Sequence, residues 1–153
     1  MRVLCDTNIL IRAHEKSRSP ARLLLITLLE RGHTLLMSAE LTAETAKVLR
    51  TPKLMARWGL MEEDVYDYIR FLHMVAETVA ADPLIRVPLR DPTDAPILQA
   101  AVAGDADIVC TRDEDFFAAE TVAFCKALAI EVCTGWELAQ RLGILGSFPT
   151  ALN

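Results

Sequence analysis

The chain has 153 residues, 52% of them hydrophobic, which is enough for the core of one domain and too many for a disordered protein. Its net charge is −5, although residues 1–60 carry ten basic and five acidic side chains and residues 61–153 carry six and sixteen. This acidic total does not exclude a nucleic-acid substrate, because five acids placed in one cation site would leave 21 − 5 = 16 acids against 16 basic residues.

Strand and helix signals alternate along the chain. The predicted helices begin near Ile9, Pro20, Ala39, Glu62, Asp94, Thr121 and Trp136, and the longest runs from Glu62 to about Ala80. Residues 53–61 are predicted to be irregular. The predicted strands are 2–5, 33–37, 84–89, 108–111 and 131–134. This alternation predicts one α/β domain over residues 1–145, with a central parallel sheet of about five strands, helices on both faces, and a tail over 146–153.

Membrane and secretory signals are absent from the sequence. No apolar run approaches the ~20 residues of a membrane span, and no signal peptide precedes the first strand, so we expect a cytoplasmic protein. The four cysteines form no C-x-x-C pair, which disfavours a zinc site.

Asp6 follows the first predicted strand directly, in the sequence Cys5-Asp6-Thr7-Asn8. At the carboxyl end of a central parallel strand it would lie where open α/β sheets bind ligands, although it could equally be a simple helix cap.

A second acid, Glu44, lies three residues after Leu41 and four before Val48, which places it on the apolar stripe of its helix. A carboxylate there is costly to bury unless it is paired or bound to a metal. Glu40, one turn earlier, is the alternative functional residue.

Two further acidic positions complete the pattern. Asp94 opens a helix after the turn 91–93, where an acid would also favour the helix dipole. Asp113 and Asp115 crowd the end of the strand that leads to Thr111, a pattern that is also typical of a solvated loop. Because the carboxyl ends of parallel strands share one edge, we expect Asp6, Asp94 and Asp113 to lie together.

Carboxylates without histidine or cysteine favour Mg²⁺ or Mn²⁺ over zinc. His14, His33 and His73 are scattered, and no glycine-rich phosphate loop or nucleophile elbow is present. Divalent ions held by carboxylates promote in-line displacement at phosphorus, so hydrolysis of phosphodiesters is the favoured chemistry.

Four segments in order resemble the PIN-domain nucleases, most closely prokaryotic toxin components of toxin–antitoxin pairs. They are Cys5–Leu10, the stretch from Ser38 through Glu44 to Lys53, Asp91–Asp94, and Ala106–Phe116. The resemblance runs from residue 2 to about residue 140. It implies a three-layer sandwich, a metal-dependent ribonuclease, an antitoxin partner and a homodimer.

Matched motif by motif, the resemblance implies an acidic quartet of Asp6, Glu44, Asp94 and Asp113 with Asp115 beside it, and metal ligation by Asp6, Asp94 and Asp113. Thr7, Asn8 and Thr111 would orient carboxylates or water. The chain departs from the family pattern at Ala95-Pro96, where relatives often carry a polar residue, and at Arg112, where a glycine is common. Arg112 could face the substrate phosphate or occupy a metal position through an ion pair.

Basic side chains, mostly in the first half of the chain, are candidates for contacts with the RNA backbone: Arg12, Lys16, Arg18, Lys47, Arg50, Lys53 and Arg112. Two alternatives to a ribonuclease stay open. One is a catalytically weak PIN-fold protein that binds RNA, and the other is a metal-dependent phosphatase acting on a small substrate.

Overall fold

A computed structural model describes residues 1–144, and the predicted end of the domain at residue 145 and the tail 146–153 lie outside the described residues. None of the helices described there has both the length and the apolar character needed to cross a bilayer. The elements are β1 (Arg2–Cys5), α1 (Thr7–Arg12), α2 (Ala21–Glu30), β2 (Thr34–Met37), α3 (Ala39–Leu49), α4 (Pro52–Trp58), α5 (Glu62–Val75), β3 (Ala76–Thr78), α6 (Ala95–Ala103), β4 (Ile108–Cys110), α7 (Ala119–Ala127), β5 (Glu131–Cys133) and α8 (Gly135–Arg141).

The five strands form one sheet in the order β3-β2-β1-β4-β5, and every neighbouring pair is parallel. Val3, Leu4 and Cys5 of β1 are all buried, as expected for a central strand covered on both faces. The chain moves outward from β1 to β3, then returns past β1 to β4. Right-handed crossovers therefore place α6 and α7 on the face opposite the helices that follow β1 and β2. The result is the predicted three-layer α/β sandwich.

The direction of the strand order changes between β1 and β4, which lie side by side in register from Val3 opposite Ile108 to Cys5 opposite Cys110. A crevice forms at such a point because the loops leaving the two strands turn to opposite faces of the sheet. The fold therefore places the segments after Cys5 and Cys110 at the edge where α/β proteins bind ligands.

The predicted strand over residues 84–89 is wrong. That segment is an irregular loop, in which Leu84 is 87% exposed and two backbone carbonyls accept side-chain hydrogen bonds: Ile85 O from Gln99 (2.9 Å) and Pro88 O from Thr121 (2.7 Å). Prolines at either side of the apolar residues remove backbone donors that a sheet ladder needs. The third strand of the sheet is instead β3, within the segment predicted as the end of the long helix.

Two other sequence predictions need correction. Helix α5 ends at Val75, not near Ala80, because Ala76 turns to extended backbone and pairs with Leu35 of β2. Residues 53–61 are largely helical, since Pro52 opens α4 and does not only end α3. Proline suits the first turn of a helix because the amides there have no partner within the helix.

Candidate active site

Asp6 lies at the carboxyl end of β1 and is 5% exposed. Its backbone amide donates to the Cys110 carbonyl of β4 (2.9 Å), which fixes it against the neighbouring strand. The carboxylate caps α1 by accepting from the Thr7 amide (2.6 Å), and it also accepts from the Asn8 side-chain amide (2.5 Å) and the Thr111 hydroxyl (2.6 Å). It is therefore both a helix cap and the centre of a polar network.

Burial raises the pKa of the Asp6 carboxyl. Hydrogen bonds from Thr111 and Thr7 stabilise the charged form and oppose this effect, whereas the nearby charges of Glu44 and Asp113 raise the pKa further. Two carboxylates from distant parts of the chain are thus close enough to affect Asp6.

Thr111 joins the two central strands at this edge. Its hydroxyl is fully buried, donates to Asp6, and accepts from the Asn8 side chain (3.3 Å) and the Asp113 backbone amide (3.0 Å). A hydroxyl has one donor and two acceptor lone pairs, so this set uses all of its capacity. Thr111 therefore fixes Asp6 and positions the loop that carries Asp113. These contacts are of the kind expected from the supporting role predicted for it.

Helix α3 brings Glu44 to the site. The Ser38 hydroxyl caps the helix by accepting from the Leu41 amide (3.1 Å), and Glu44 Oε2 accepts from the Thr7 hydroxyl (3.1 Å). Glu44 is exposed and borders the buried stripe formed by Leu41, Thr45 and Leu49. The expectation that it lies on that stripe is therefore wrong in detail, although the side chain does reach α1.

Glu40 is also exposed, but it forms no hydrogen bond or ion pair within the described part of the chain. Of the two glutamates left open by the sequence, Glu44 is the one in contact with the polar network around Asp6.

Asp94 immediately precedes α6 and makes no capping hydrogen bond with its side chain. Burial, followed by the charges of Asp113, Asp91, Asp6 and Glu44, raises the pKa of its carboxyl to about 6. A strand followed by the turn 91–93 was expected before Asp94, but the segment before it is the long loop after β3. Asp94 still reaches the acidic group, because the crossover into β4 passes this edge of the sheet.

Asp113 and Asp115 belong to a single 3-10 turn. Asp113 caps the turn Glu114–Phe117, and its Oδ1 accepts from the Asp115 amide (2.9 Å). Asp115 forms a long ion pair with Arg90, with 3.9 Å between Oδ1 and the guanidinium, and Arg90 is largely exposed. Such a pair is weak in water. No periodic signal in the loop that carries Arg90 could have placed this residue near Asp115 from the sequence.

The donor set is suited to a hard divalent cation. The neighbouring charges that shift the pKa of the Asp94 carboxyl are all negative, and a divalent cation would neutralise them. In addition, Asn8 Oδ1 is buried and has no hydrogen-bond partner within the described residues, and an amide oxygen is a hard donor. As arranged here, no three histidine, cysteine, aspartate or glutamate side chains in residues 1–144 are close enough to bind one ion together. The oxygen donors and the negative charge therefore suit a divalent cation, but the side chains must move closer together to bind one ion.

The two departures from the family pattern leave the acids in place. Ala95 and Pro96 occupy the first turn of α6, where proline is harmless. Arg112 is exposed and forms no ion pair in the described part of the chain, so the suggestion that it occupies a metal position through an ion pair has no support.

The candidate RNA-contact residues differ in availability. Lys16 pairs with Asp64 (2.7 Å) and Arg50 with Glu62 (2.9 Å), so both are partly neutralised. Lys47 is exposed and lies on α3, three residues after Glu44. The remaining candidates are half-buried or exposed: Arg12, Arg18, Lys53 and Arg112.

The chain resembles known proteins both in its sequence and in its fold. A family model described as PIN domain matches residues 2–115. The fold is similar to a chain in the crystal structure of VapBC2 from Rickettsia felis bound to a DNA fragment from their promoter, with a TM-score of 0.56 and 17% identity over 86% of this chain and 98% of that chain. No curated protein matches the sequence.

Proposed function

The chain belongs to the PIN-domain family, and we propose that it is an endoribonuclease dependent on Mg²⁺ or Mn²⁺ that acts as the toxin of a toxin–antitoxin pair. The coarser assignment to nucleases follows from the family. The observation that best supports a metal-dependent ribonuclease is the set of acids around Asp94, where burial and then the charges of four other carboxylates raise the pKa of its carboxyl. A polyanionic edge of this kind would repel RNA unless cations were bound there.

In this proposal Asp6, Asp94 and Asp113 hold the metal, and Glu44 lies beside them. A bound divalent ion supplies Lewis-acid activation of water and charge stabilisation at phosphorus. Hydrolysis with the 3′ oxygen as leaving group gives a 5′ phosphate.

The protein itself contributes orientation. Hydrogen bonds from Thr7, Asn8 and Thr111 orient the Asp6 carboxylate before substrate arrives. The Thr7 hydroxyl orients Glu44 Oε2 in the same way.

Asp94 is well suited to bind a cation. In the metal-free chain, burial and the neighbouring acids raise the pKa of its carboxyl to about 6, so at neutral pH it is mostly ionised. Its side chain is not occupied by a helix-capping hydrogen bond, unlike that of Asp6.

The partner and location are further parts of the proposal. The VapBC2 structure with a similar fold is a complex bound to promoter DNA. By extension we propose that an antitoxin protein binds this chain at the acidic edge, and that the chain forms a homodimer in the cytoplasm.

The test is incubation of purified protein with single-stranded RNA and Mn²⁺, with EDTA as control and a chromogenic phosphate ester as a second substrate. We expect RNA cleavage that EDTA abolishes, and no turnover of the ester. Binding of RNA without cleavage would favour a PIN-fold RNA-binding protein, and turnover of the ester alone would favour a phosphatase.

A further inference from the structure

An arginine lies at the rim of the acidic group with its hydrogen-bond donors unused. Arg90 is four residues before Asp94 in the chain, and its guanidinium is 3.9 Å from Asp115 Oδ1 with 81% of the side chain exposed. At this distance the carboxylate attracts the guanidinium but does not accept a hydrogen bond from it. The Arg90 guanidinium makes no hydrogen bond within residues 1–144, so its N–H groups are available to another anion.

The backbone on either side of Arg90 is held in place. Before it, the Pro88 carbonyl accepts from the buried Thr121 hydroxyl (2.7 Å). After it, the Asp91 carboxylate accepts from the backbone amide (2.8 Å) and the hydroxyl (2.7 Å) of Thr93, which closes a tight turn. The guanidinium is therefore presented to solvent from an anchored segment, as a binding residue needs to be.

The turn that carries Asp115 also presents an aromatic ring. Phe116 is fully buried and anchors the turn Glu114–Phe117 in the core, whereas Phe117 is 38% exposed. Phe117 is two residues from the carboxylate that attracts Arg90. A positive charge beside an exposed aromatic ring is the combination that binds single-stranded nucleic acid, because the charge contacts a phosphate and the ring stacks on a base.

The place of these two residues fits an unpaired strand. In the proposed function the cleaved phosphate lies at the acidic edge, so the neighbouring nucleotide must pass over the rim of that edge. Positive charge is needed there to attract its phosphate. In a duplex the bases are already paired and stacked on one another, and they are not free to stack on a side chain.

We propose that Arg90 and Phe117 form a binding subsite for one nucleotide of single-stranded RNA, beside the bond that is cleaved. Arg90 binds the phosphate of this nucleotide, and Phe117 stacks on its base. The subsite selects unpaired RNA without reading its sequence, because every base has a face on which a ring can stack. This inference rests on the proposed ribonuclease function and adds the class of RNA that the site accepts.

The test measures binding of a short, labelled single-stranded RNA by fluorescence anisotropy at several salt concentrations. Ca²⁺ replaces Mn²⁺ as the oxygen-binding cation, and a gel confirms that the RNA stays intact. Arg90→Ala should weaken binding and reduce the slope of log K against log salt by about 0.7, the contribution of one phosphate contact in a single strand. Phe117→Leu should weaken binding about tenfold with the slope unchanged, and Phe117→Trp should bind as wild type does.

Two matched controls separate the subsite from general surface effects. Arg86→Ala removes an exposed arginine of the same loop that forms no ion pair in the described part of the chain. Tyr66→Leu removes a ring that is 63% exposed on α5. Both controls should bind RNA as wild type does, with folding of every variant checked by circular dichroism. Duplex RNA should bind equally to wild type and Phe117→Leu.

Wild-type affinity and salt slope in Arg90→Ala, or an equal loss in Arg86→Ala, would overturn the phosphate contact. Unchanged binding by Phe117→Leu, or an equal loss on duplex RNA, would overturn the base contact. A wild-type protein that binds RNA as expected but never cleaves it with Mn²⁺ would refute the proposed function and support the subsite. Cleavage by wild type together with unchanged binding in Arg90→Ala and Phe117→Leu would refute the subsite alone.

Discussion

Substituting Asp94 by asparagine should stabilise the metal-free protein at neutral pH. The pKa of Asp94 is raised from 3.8 to about 6 by burial and by the charges of Asp113, Asp91, Asp6 and Glu44. A carboxyl whose pKa is raised by folding stabilises the folded state while it is protonated. For Asp94 this stability is present below pH 3.8 and is lost as the pH rises through about 6. Above that pH the ionised side chain opposes folding, and asparagine removes the opposition.

The magnitude can be estimated from the shift. About two pKa units at about 1.4 kcal/mol each set a ceiling of about 3 kcal/mol. Because Asp94 is partly exposed, solvent screening reduces this to about 1 kcal/mol, which for a chain of this length raises the melting temperature by about 2–4 °C. Asp94 suits this experiment better than Asp6, whose carboxylate accepts hydrogen bonds from Thr7, Asn8 and Thr111 that asparagine could not all reproduce.

The assay is thermal unfolding in EDTA at about pH 4 and about pH 7.5, with wild type, Asp94→Asn and the matched control Glu40→Gln. We expect the melting temperature of Asp94→Asn to exceed that of wild type only slightly at the lower pH and by more at the higher pH. Glu40→Gln should melt with wild type at both. If Asp94→Asn melts at or below wild type at the higher pH, the inference that the acids repel one another at this edge is incorrect.

The other predictions concern activity and the polar network. Asp6→Asn and Asp94→Asn should each abolish Mn²⁺-dependent RNA cleavage while the circular dichroism spectrum is retained; wild-type rates in either folded variant would remove that residue from the site. Glu44→Gln should lower cleavage by orders of magnitude and Glu40→Gln should change it little, since only Glu44 contacts Thr7; reversed effects would exchange their roles. Thr111→Val should lower the free energy of unfolding by about 1–3 kcal/mol, because buried partners lose their hydrogen bonds. In denaturant titrations Thr111→Ser should lose much less, and equal losses for both variants would mean that the hydroxyl is not responsible.

The sequence was sufficient to predict most of the sheet and the edge that carries the acids. β1 and β4 are short apolar runs followed directly by Asp6 and Thr111, and a buried strand followed by polar capping residues is a local signal. Asp94 was placed correctly at the start of α6 even though the strand expected before it does not exist. Its helix-start signal is independent of the preceding segment.

The failures have a physical cause in each case. β3 is a three-residue edge strand whose apolar residues continue the helical pattern of α5, so periodicity could not separate the two. The Thr7–Glu44 hydrogen bond and the Arg90–Asp115 pair are tertiary contacts between elements distant in sequence.

The most direct test of the central proposal, that Asp6, Asp94 and Asp113 form one metal site, is the melting temperature of wild type and Asp94→Asn with EDTA and with Mn²⁺. A ligand that binds only the folded state stabilises it by about 2.7 kcal/mol at a hundredfold excess over its Kd. We predict that Mn²⁺ raises the melting temperature of wild type well above that of Asp94→Asn, reversing their order in EDTA. Identical melting of wild type in EDTA and in Mn²⁺ would contradict a metal site at this edge of the sheet.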